Sequence, residues 1–411
     1  MKYLLSKQDK NLNGTISLPS SKSISNRLLI MHALSNSDQT IENLSTSDDT
    51  KVMQKALFEK SNVINIGHAG TAMRFLTAYF SIMPGERIIT GSERMKQRPI
   101  KILVDALRSL GADIKYIENE GFPPLKIKGK NLKGGELKLN GGVSSQYISA
   151  LLMIAPILKG GLTLHLTGNI ISRSYIELTL KLMQQSGISW SWEGSDIHIN
   201  EQNYNSKRFF VESDWTAASY WYEMLSLSKR GRITLKNLHS ESLQGDCILP
   251  SWFKVFNIKS KFKGDDVIIE KTDSLIPSQL KLDFKENPDI AQTMVVLCVL
   301  ENIPFHFSGL KTLKIKETDR IFALKTELAK LGANITEPEN GELKWNGSLS
   351  LKKDSIPCFS TYSDHRMALS FSPVAINRDI IIDSPEVVTK SYPLFYNDLK
   401  KTGFIIKKIE N

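Results

Sequence analysis

The sequence has few cysteines and no long apolar run. Its three cysteines, Cys247, Cys298 and Cys358, are scattered among 411 residues without the spacing of a metal site or a redox pair. We expect them to be small, buried hydrophobic side chains. No segment stays apolar for the roughly 18 residues that a membrane helix needs, and the first nine residues carry charges where a signal peptide would be apolar. These absences predict a cytoplasmic protein with no membrane partner.

The patterns of nucleic-acid-binding proteins are also missing. The formal net charge of +10 attracts anions, but it does not distinguish nucleic acids from metabolites. The chain shows no zinc-finger spacing, basic helix or aromatic RNA-binding signature. We therefore expect no nucleic-acid partner. A non-enzymatic anion- or nucleic-acid-binding protein stays an alternative that rests on charge alone.

The sequence instead contains a long repeat. Six polar stretches each precede about a dozen mostly apolar residues, and these stretches begin at Ser21, Gly70, Ser144, Asp214, Pro288 and Asp364. Each stretch is typical of a capped helix N-terminus that leads into a buried helix. With Gly70, Ser144, Trp215, Asp289 and Asp364 as markers, the successive intervals are 74, 71, 74 and 75 residues. A period of this length indicates one repeated supersecondary unit.

Each repeat is predicted to contain both strands and helices. A glycine typical of a helix C-terminus precedes a strand-like run at Gly111, Gly187 and Gly332. Further β-rich runs occur at 87–90, 162–166, 232–235 and 380–382. Six repeats in 411 residues therefore predict an α/β protein in two lobes.

The first repeat is predicted to be truncated. Only 47 residues separate Ser23 from Gly70, about 25 fewer than in every later interval. The segment from Lys51 to Ile66 has room for one helix and one short strand before Gly67, but not for the further strand pair of a complete unit. We expect the loss to be structural, because the candidate binding positions lie outside this segment.

Most of the conspicuous cations lie at the helix starts, beside Ser, Thr or Asp residues. They are Lys22, Arg27, Arg74, Arg98, Lys316, Arg320, Arg366 and Lys390. A helix N-terminus presents free backbone N–H groups and a positive dipole, so it binds phosphate or carboxylate, and a nearby cation strengthens the site. The set predicts a small-molecule ligand with two or more anionic groups. For a single residue the alternative is an ordinary ion pair, such as Arg320 with Glu317 or Asp319.

Six motifs, in order along the chain, resemble those of the 5-enolpyruvylshikimate-3-phosphate synthase (3-phosphoshikimate 1-carboxyvinyltransferase) family. They are Pro19–Arg27, Ala69–Arg74, Arg94–Pro99, Ser144–Gln146, Lys316–Arg320 and Asp364–Ala368. The resemblance implies an enzyme of the shikimate pathway to aromatic amino acids. Such an enzyme transfers the enolpyruvyl group of phosphoenolpyruvate to the 5-hydroxyl of shikimate 3-phosphate and releases phosphate. The resemblance implies no metal and no organic cofactor.

The resemblance also implies a two-lobed enolpyruvyl-transferase-like fold with three repeats in each lobe. The N-terminal lobe would comprise residues 21–212, and the C-terminal lobe residues 1–20 and 213–411. Hinges would lie near residues 20 and 213, and the active site in the cleft. We expect a monomer whose partners are its two small-molecule substrates.

Two overlapping sets of binding residues follow from the same resemblance. The residues expected to bind phosphoenolpyruvate are Lys22, Gly70, Arg98, Gln146, Arg320, Arg366 and Lys390. The residues expected to bind shikimate 3-phosphate are Lys22, Ser23, Arg27, Thr71, Ser144, Ser145, Gln146, Ser172, Tyr175, Asp289, Thr312 and Lys316. Ser144 and Ser145 could also be ordinary helix caps, and capping is compatible with ligand binding.

The implied reaction needs an acid and a base, because C3 of the enol gains a proton while the 5-hydroxyl loses one. The resemblance implies that Glu317 donates the proton to C3. Asp289 and Lys22 are the candidates for handling the hydroxyl proton, and the division of labour between them stays open. Lys22, Arg98 and Lys390 are expected to stabilise the developing charge and the leaving phosphate.

Three positions depart from the common family pattern. His68 and Thr312 each stand where the family often has Asn, and Phe75 stands where it commonly has Pro. We expect Phe75 to pack in the core, and the response to the inhibitor glyphosate stays open. The sister enzyme that uses UDP-N-acetylglucosamine is an alternative, but its loop cysteine is absent from 93–99 and its Lys-Asn motif is absent at Lys22-Ser23.

Overall fold

The computed structural model describes residues 1–35, 39–59, 61–205, 207–273, 277–349 and 355–409. Its strands are, in chain order, β1 Lys2–Ser6, β2 Asn11–Ile16, β3 Ile41–Glu42, β4 Val63–Asn65, β5 Gly85–Thr90, β6 Asp113–Tyr116, β7 Leu125–Gly129, β8 Lys133–Asn140, β9 Lys159–Thr167, β10 Ser191–Glu193, β11 Asp196–Ile199, β12 Phe209–Phe210, β13 Arg230–Leu235, β14 Ile258–Lys263, β15 Asp266–Lys271, β16 Leu280–Asp283, β17 Phe305–Ser308, β18 Leu343–Trp345, β19 Cys358–Phe359, β20 Ile380–Asp383 and β21 Ile405–Ile409.

Helices alternate with these strands. The α-helices are α1 Lys22–Ser35, α2 Asp48–Phe58, α3 Gly70–Ile82, α4 Glu93–Lys96, α5 Lys101–Ser109, α6 Ser145–Ile154, α7 Arg173–Gln185, α8 Trp215–Leu227, α9 Leu249–Trp252, α10 Ala291–Leu300, α11 Arg320–Ala329, α12 His365–Phe371 and α13 Phe395–Lys401. Short 3₁₀ helices span Ala155–Ile157, Gly245–Ile248, Phe253–Phe256, Pro288–Ile290, Lys311–Ile315, Ser372–Ile376 and Pro385–Lys390. None of the helices in the described ranges is both long and apolar enough to cross a bilayer.

The chain divides into two compact units. The N-terminal unit is Ser20–Val211, and the C-terminal unit combines Met1–Pro19 with the described part of 212–411. The assignment of these units as lobes joined by hinges near residues 20 and 213 stays a prediction.

The N-terminal unit contains three sheets. Their strand orders are β4-β5-β7-β6, β10-β11-β9-β8 and β12-β3. Helices α3 and α6 pack against each other, and α7 packs against both α1 and α6. Nearly every residue of α3 and α6 is buried, because their apolar residues cover all faces of the helix.

The C-terminal unit also contains three sheets, ordered β19-β20-β1-β21, β14-β15-β13-β2 and β16-β17-β18. The first two strands of the chain complete two of these sheets, since β1 pairs with β20 and β21 while β2 pairs with β13. Helix α10 is buried along almost its whole length and packs against α8, α11 and α12.

The six sheets of the described chain share one pattern, which supports a single repeated unit. Each contains one parallel pair, namely β4–β5, β8–β9, β3–β12, β2–β13, β16–β17 or β19–β20. Five of them add antiparallel strands to that pair. The sixth, β12–β3, has only two strands of two residues each, and it marks the truncated first repeat. Within 51–66 the described residues form most of one helix, α2, and one short strand, β4, as predicted, while β3 lies before this segment.

A buried helix begins at each of the six predicted starts, but two of the expected caps are wrong. Side chains of Ser21, Ser144, Asp214 and Asp364 accept backbone N–H bonds at the starts of α1, α6, α8 and α12. Helices α3 and α10 follow Ala69 and Ile290, which make no side-chain cap. Asp289, expected to mark a cap, instead directs its carboxylate at arginines.

Two other predictions need correction. The three glycines predicted to end helices, Gly111, Gly187 and Gly332, all have positive φ. Strand β6 follows Gly111 and strand β10 follows Gly187, as predicted. After Gly332 the described residues form isolated bridges at Ala333 and Thr336 in place of the predicted strand. Among the cysteines, Cys298 is fully buried as predicted, whereas Cys247 and Cys358 are partly exposed.

Candidate active site

Glu317 lies between two cations of the C-terminal unit. Its Oε1 accepts a hydrogen bond from Nζ of Lys390 at 3.0 Å, and its Oε2 accepts from Nη2 of Arg320 at 2.8 Å. Glu317 lies three residues before the start of α11, whose first turn is capped by Asp319 through a bond from Phe322 N at 3.0 Å. Of the two ion pairs considered for Arg320, the pair with Glu317 forms. The pair with Asp319 was a wrong prediction, because the Asp319 carboxylate caps the helix.

Asp289 is also held by two arginines. Its Oδ2 lies 2.9 Å from Nη2 of Arg366, and its Oδ1 lies 3.6 Å from Nη1 of Arg320. Nη1 of Arg366 additionally donates to the Asp289 carbonyl at 3.1 Å. The 3₁₀ helix Pro288–Ile290 carries Asp289 into this position just before α10. Two carboxylates thus share one arginine, Arg320, which places the predicted acid and base in one cluster.

Asp364 fixes the orientation of Arg320. Its Oδ2 accepts from Nε at 2.7 Å, and its Oδ1 accepts from Nη2 at 3.3 Å. Burial lowers the pKa of Arg320, but Asp364 and Glu317 outweigh it and the pKa is raised overall. Asp364 was expected only to start a helix. The signal for its second role was its place directly before His365-Arg366, inside a motif rich in charge.

Lys316 and Thr312 lie close to the same cluster in the sequence. Burial lowers the pKa of Lys316, and the charge of Asp289 opposes that shift, so Lys316 and Asp289 are near enough to interact. The hydroxyl oxygen of Thr312 is buried and has no hydrogen-bond partner among the described residues. A buried hydroxyl of this kind is suited to a ligand group.

In the N-terminal unit, Gly70 opens α3 directly beside Arg98. A Cβ atom at Gly70 would lie 2.5 Å from Nη1 of Arg98, so the guanidinium occupies the space that a side chain would fill. At the next residue of α3, Gln146 donates from Nε2 to Oγ1 of Thr71 at 3.1 Å. Lys22, at the start of α1, pairs with Asp49 at 3.3 Å.

Arg27 is buried in a polar pocket of the N-terminal unit. It donates to Oγ1 of Thr179 at 2.7 Å, to Oγ of Ser149 at 3.2 Å, and to the carbonyls of Ser23 and Tyr175. Burial lowers the pKa of Arg27 to about 10. These bonds place Arg27 beside the backbone of Ser23 and Tyr175, and all three residues belong to the set expected to bind shikimate 3-phosphate.

Phe75 packs against this arginine. Its side chain is 1% exposed, which confirms the predicted core packing, and its ring centroid lies 5.4 Å from Cζ of Arg27. The Tyr175 ring lies 5.9 Å from the same atom. Two aromatic faces therefore stabilise the buried cation.

The remaining predicted residues lie at helix starts. Ser144 caps α6 and Ser145 is its first residue, while Ser172 precedes α7 with φ of +53°. Arg74, one of the cations at the predicted helix starts, donates to the carbonyls of Gly70 and Pro99. Arg74 therefore supports the backbone of the site rather than presenting its charge to a ligand.

Comparisons with known proteins agree with one another. Residues 6–59 and 55–399 match the family model described as EPSP synthase (3-phosphoshikimate 1-carboxyvinyltransferase). A 3-phosphoshikimate 1-carboxyvinyltransferase of Bacteroides fragilis is 53% identical over 409 residues, which cover 99% of each chain. One of the same name from Photobacterium damsela subsp. piscicida is 34% identical and covers 95% of this chain and 97% of its own. A solved EPSP synthase of Acinetobacter baumannii has a TM-score of 0.77 at 19% identity, covering 99% of this chain and 100% of its own, and so shows the fold.

Proposed function

The chain belongs to the EPSP synthase family, and on that premise we propose which of its side chains carry out the reaction. It is a 3-phosphoshikimate 1-carboxyvinyltransferase of the shikimate pathway: it transfers the enolpyruvyl group of phosphoenolpyruvate to the 5-hydroxyl of shikimate 3-phosphate and releases phosphate. The predicted α/β fold and activity are thereby confirmed. The two alternatives from the sequence, the UDP-N-acetylglucosamine enzyme and a non-enzymatic binding protein, are set aside because the full length matches this family.

We assign Glu317 as the general acid because it lies between Lys390 and Arg320. Both cations contact the Glu317 carboxylate and stabilise its ionised form. When the phosphate and carboxylate of phosphoenolpyruvate bind the same two cations, their hold on Glu317 weakens and its proton affinity rises. Glu317 then donates a proton to C3 of the enol and removes one from the same carbon when phosphate leaves.

Asp289 and Lys22 handle the proton of the 5-hydroxyl in this proposal. Asp289 is an ionised carboxylate held by Arg366 and Arg320, so it accepts hydrogen bonds and a proton. Lys22, paired with Asp49, supplies a positive charge toward the departing phosphate. Preorganised charges of this kind stabilise the transition state more than the bound substrates.

The phosphoenolpyruvate set in this proposal combines cations, an amide and a glycine. We assign to it Lys22, Gly70, Arg98, Gln146, Arg320, Arg366 and Lys390. The absence of a side chain at Gly70 supports this, since it lets an anion approach the backbone N–H groups at the start of α3.

The shikimate 3-phosphate set rests on the hydroxyl-rich surroundings of Arg27 and on the buried hydroxyl of Thr312. We assign to it Lys22, Ser23, Arg27, Thr71, Ser144, Ser145, Gln146, Ser172, Tyr175, Asp289, Thr312 and Lys316. Arginine and lysine bind the anionic groups, and hydroxyls and Asp289 bind the ring hydroxyls. The same proposal includes a monomeric, cytoplasmic enzyme, which light scattering and cell fractionation would test.

Phosphate release is the direct test of the activity. The purified chain is expected to release phosphate only when both phosphoenolpyruvate and shikimate 3-phosphate are present. Activity should be unchanged by EDTA, because the proposed chemistry uses side chains alone. Use of UDP-N-acetylglucosamine as the acceptor, or loss of activity on chelation, would contradict the proposal.

A further inference from the structure

A buried carboxylate outside both substrate-binding sets lies close to Asp289. Asp246 belongs to the 3₁₀ helix Gly245–Ile248 and is 4% exposed. One of its oxygens accepts a hydrogen bond from the hydroxyl of Thr216, in the first turn of α8, and the other accepts from Nδ2 of Asn287 at 3.1 Å. Asp246 therefore connects three separate segments of the C-terminal unit.

Asn287 links this carboxylate to the turn that presents Asp289. It directly precedes the 3₁₀ helix Pro288–Ile290, and its carbonyl accepts a hydrogen bond from Ile290 N at 3.4 Å. Its side chain is buried, so the bond to Asp246 has little competition from water. Loss of the bond between Asn287 and Asp246 would remove one of the contacts that hold the turn carrying Asp289.

A second link is electrostatic. Arg366 and Arg320 stabilise the ionised form of Asp289 and so weaken it as a base, while Lys316 adds a further nearby cation. Burial, and then the charge of Asp289, raise the pKa of Asp246 to about 6, against its two hydrogen bonds and the charge of Arg366. Repulsion between two carboxylates is mutual. An ionised Asp246 therefore increases the proton affinity of Asp289.

We propose that Asp246 is a positioning residue for enolpyruvyl transfer: it orients the turn that carries Asp289 and keeps Asp289 basic enough to accept the 5-hydroxyl proton. The inference rests on the proposed role of Asp289. In the step concerned, the hydroxyl proton moves to the Asp289 carboxylate while the hydroxyl oxygen forms its bond to C2 of phosphoenolpyruvate. The C2=C3 π bond breaks, and its electron pair takes the proton that Glu317 donates to C3. Asp246 takes no proton from the substrate.

The pH dependence of turnover tests the charge of Asp246. Asp246→Asn preserves the shape and removes the charge, so kcat at pH 8 should fall about tenfold while both KM values change by less than about twofold. The ratio of wild-type to variant kcat should then decline toward one as the pH drops below about 6, where the wild-type Asp246 becomes protonated. A purely structural loss would leave that ratio independent of pH.

A second variant keeps the charge. Thr216→Val removes one hydrogen bond to the carboxylate, so Asp246 should protonate at higher pH and the midpoint of the decline in kcat should move upward. The control is Asp265→Asn, which removes an exposed carboxylate of the same unit that pairs with His239. It is expected to match the wild type throughout.

Three outcomes decide the question. Wild-type turnover of Asp246→Asn at pH 8, a kcat ratio that does not change with pH, or an unmoved midpoint in Thr216→Val would each overturn the inference. The variant Asp289→Asn tests the proposed role of Asp289 separately from that of Asp246. If that variant turns over normally, the proposed role of Asp289 fails; if it is impaired and Asp246→Asn is not, only the role of Asp246 fails.

Discussion

Arg320 donates two hydrogen bonds to Asp364, from Nε to Oδ2 at 2.7 Å and from Nη2 to Oδ1 at 3.3 Å. The two side chains are 1% and 0% exposed. The same guanidinium also contacts Glu317 and Asp289. One buried ion pair therefore sets the distance of a single cation from both candidate acid–base groups.

Removing one partner of this ion pair should lower the stability of the folded protein. Asp364→Asn leaves the Arg320 charge buried with weaker compensation, so the free energy of unfolding should fall by roughly 3–5 kcal/mol. Urea denaturation at pH 7.5 would measure the loss. Lys55→Gln serves as the control, because its pair with Glu59 involves a lysine side chain that is 80% exposed. A loss of less than about 1 kcal/mol in Asp364→Asn would contradict the structural role of the pair.

Glu317→Gln should lower turnover by about two to four powers of ten, because it removes the proton donor to C3. Binding of both substrates should change little, since the cations remain. Steady-state kinetics and calorimetric titration would separate the two effects. Asp319→Asn is the matched control, since asparagine also caps helices well. Near-normal turnover of Glu317→Gln would exclude the residue as the acid.

Gly70→Ala should weaken phosphoenolpyruvate binding more than it harms folding. The new Cβ would lie 2.5 Å from Nη1 of Arg98, and the guanidinium, at the far end of a flexible side chain, can move away. We expect KM for phosphoenolpyruvate to rise at least tenfold, while the affinity for shikimate 3-phosphate provides the internal control and stays within about twofold. An unchanged KM for phosphoenolpyruvate would show that Arg98 does not bind it.

Glu223 is predicted to make the protein less stable as the pH rises. It is fully buried in α8, its carboxyl oxygens have no hydrogen-bond partner among the described residues, and burial raises its pKa well above the usual value. The unfolded chain loses this proton near pH 4.3 and the folded chain does not. Stability therefore falls as the pH increases above the unfolded pKa.

Thermal unfolding at pH 5, 7 and 9 would test the contribution of Glu223. Glu223→Gln should raise Tm relative to the wild type by an amount that grows with pH. Glu193→Gln, on the exposed strand β10, should track the wild type. A gap in Tm that stays constant with pH would show that Glu223 does not titrate as expected.

The repeat made much of the fold predictable. Hydrophobic runs after Gly70, Ser144, Asp214 and Asp364 became α3, α6, α8 and α12, because a helix buried on all sides needs apolar residues throughout. The prediction of a strand directly after Gly332 was wrong because pairing partners cannot be read from local sequence. Two residues of that segment form isolated bridges, and strand pairing depends on distant partners that a local pattern does not contain.

The site was less predictable than the fold. The family resemblance gave roles to Glu317, Arg320 and Asp289, but it gave none to Asp364 or Asp246. Asp364 reaches Arg320 across 44 positions of the chain, and Asp246 reaches Asn287 across 41. Such contacts are set by how the repeats pack, so an acidic residue at a helix start gives no local sign of its partner.

The position of β1 constrains the order in which the protein can assemble during synthesis. Residues 2–6 leave the ribosome well before their pairing partners, which are residues 380–383 and 405–409. The intervening N-terminal unit, continuous from Ser20 to Val211, can complete its own sheets while translation continues. Strand β1 cannot form these pairs until residues 380–409 have emerged, because its partners do not exist before then, and closing so long a loop adds an entropic cost.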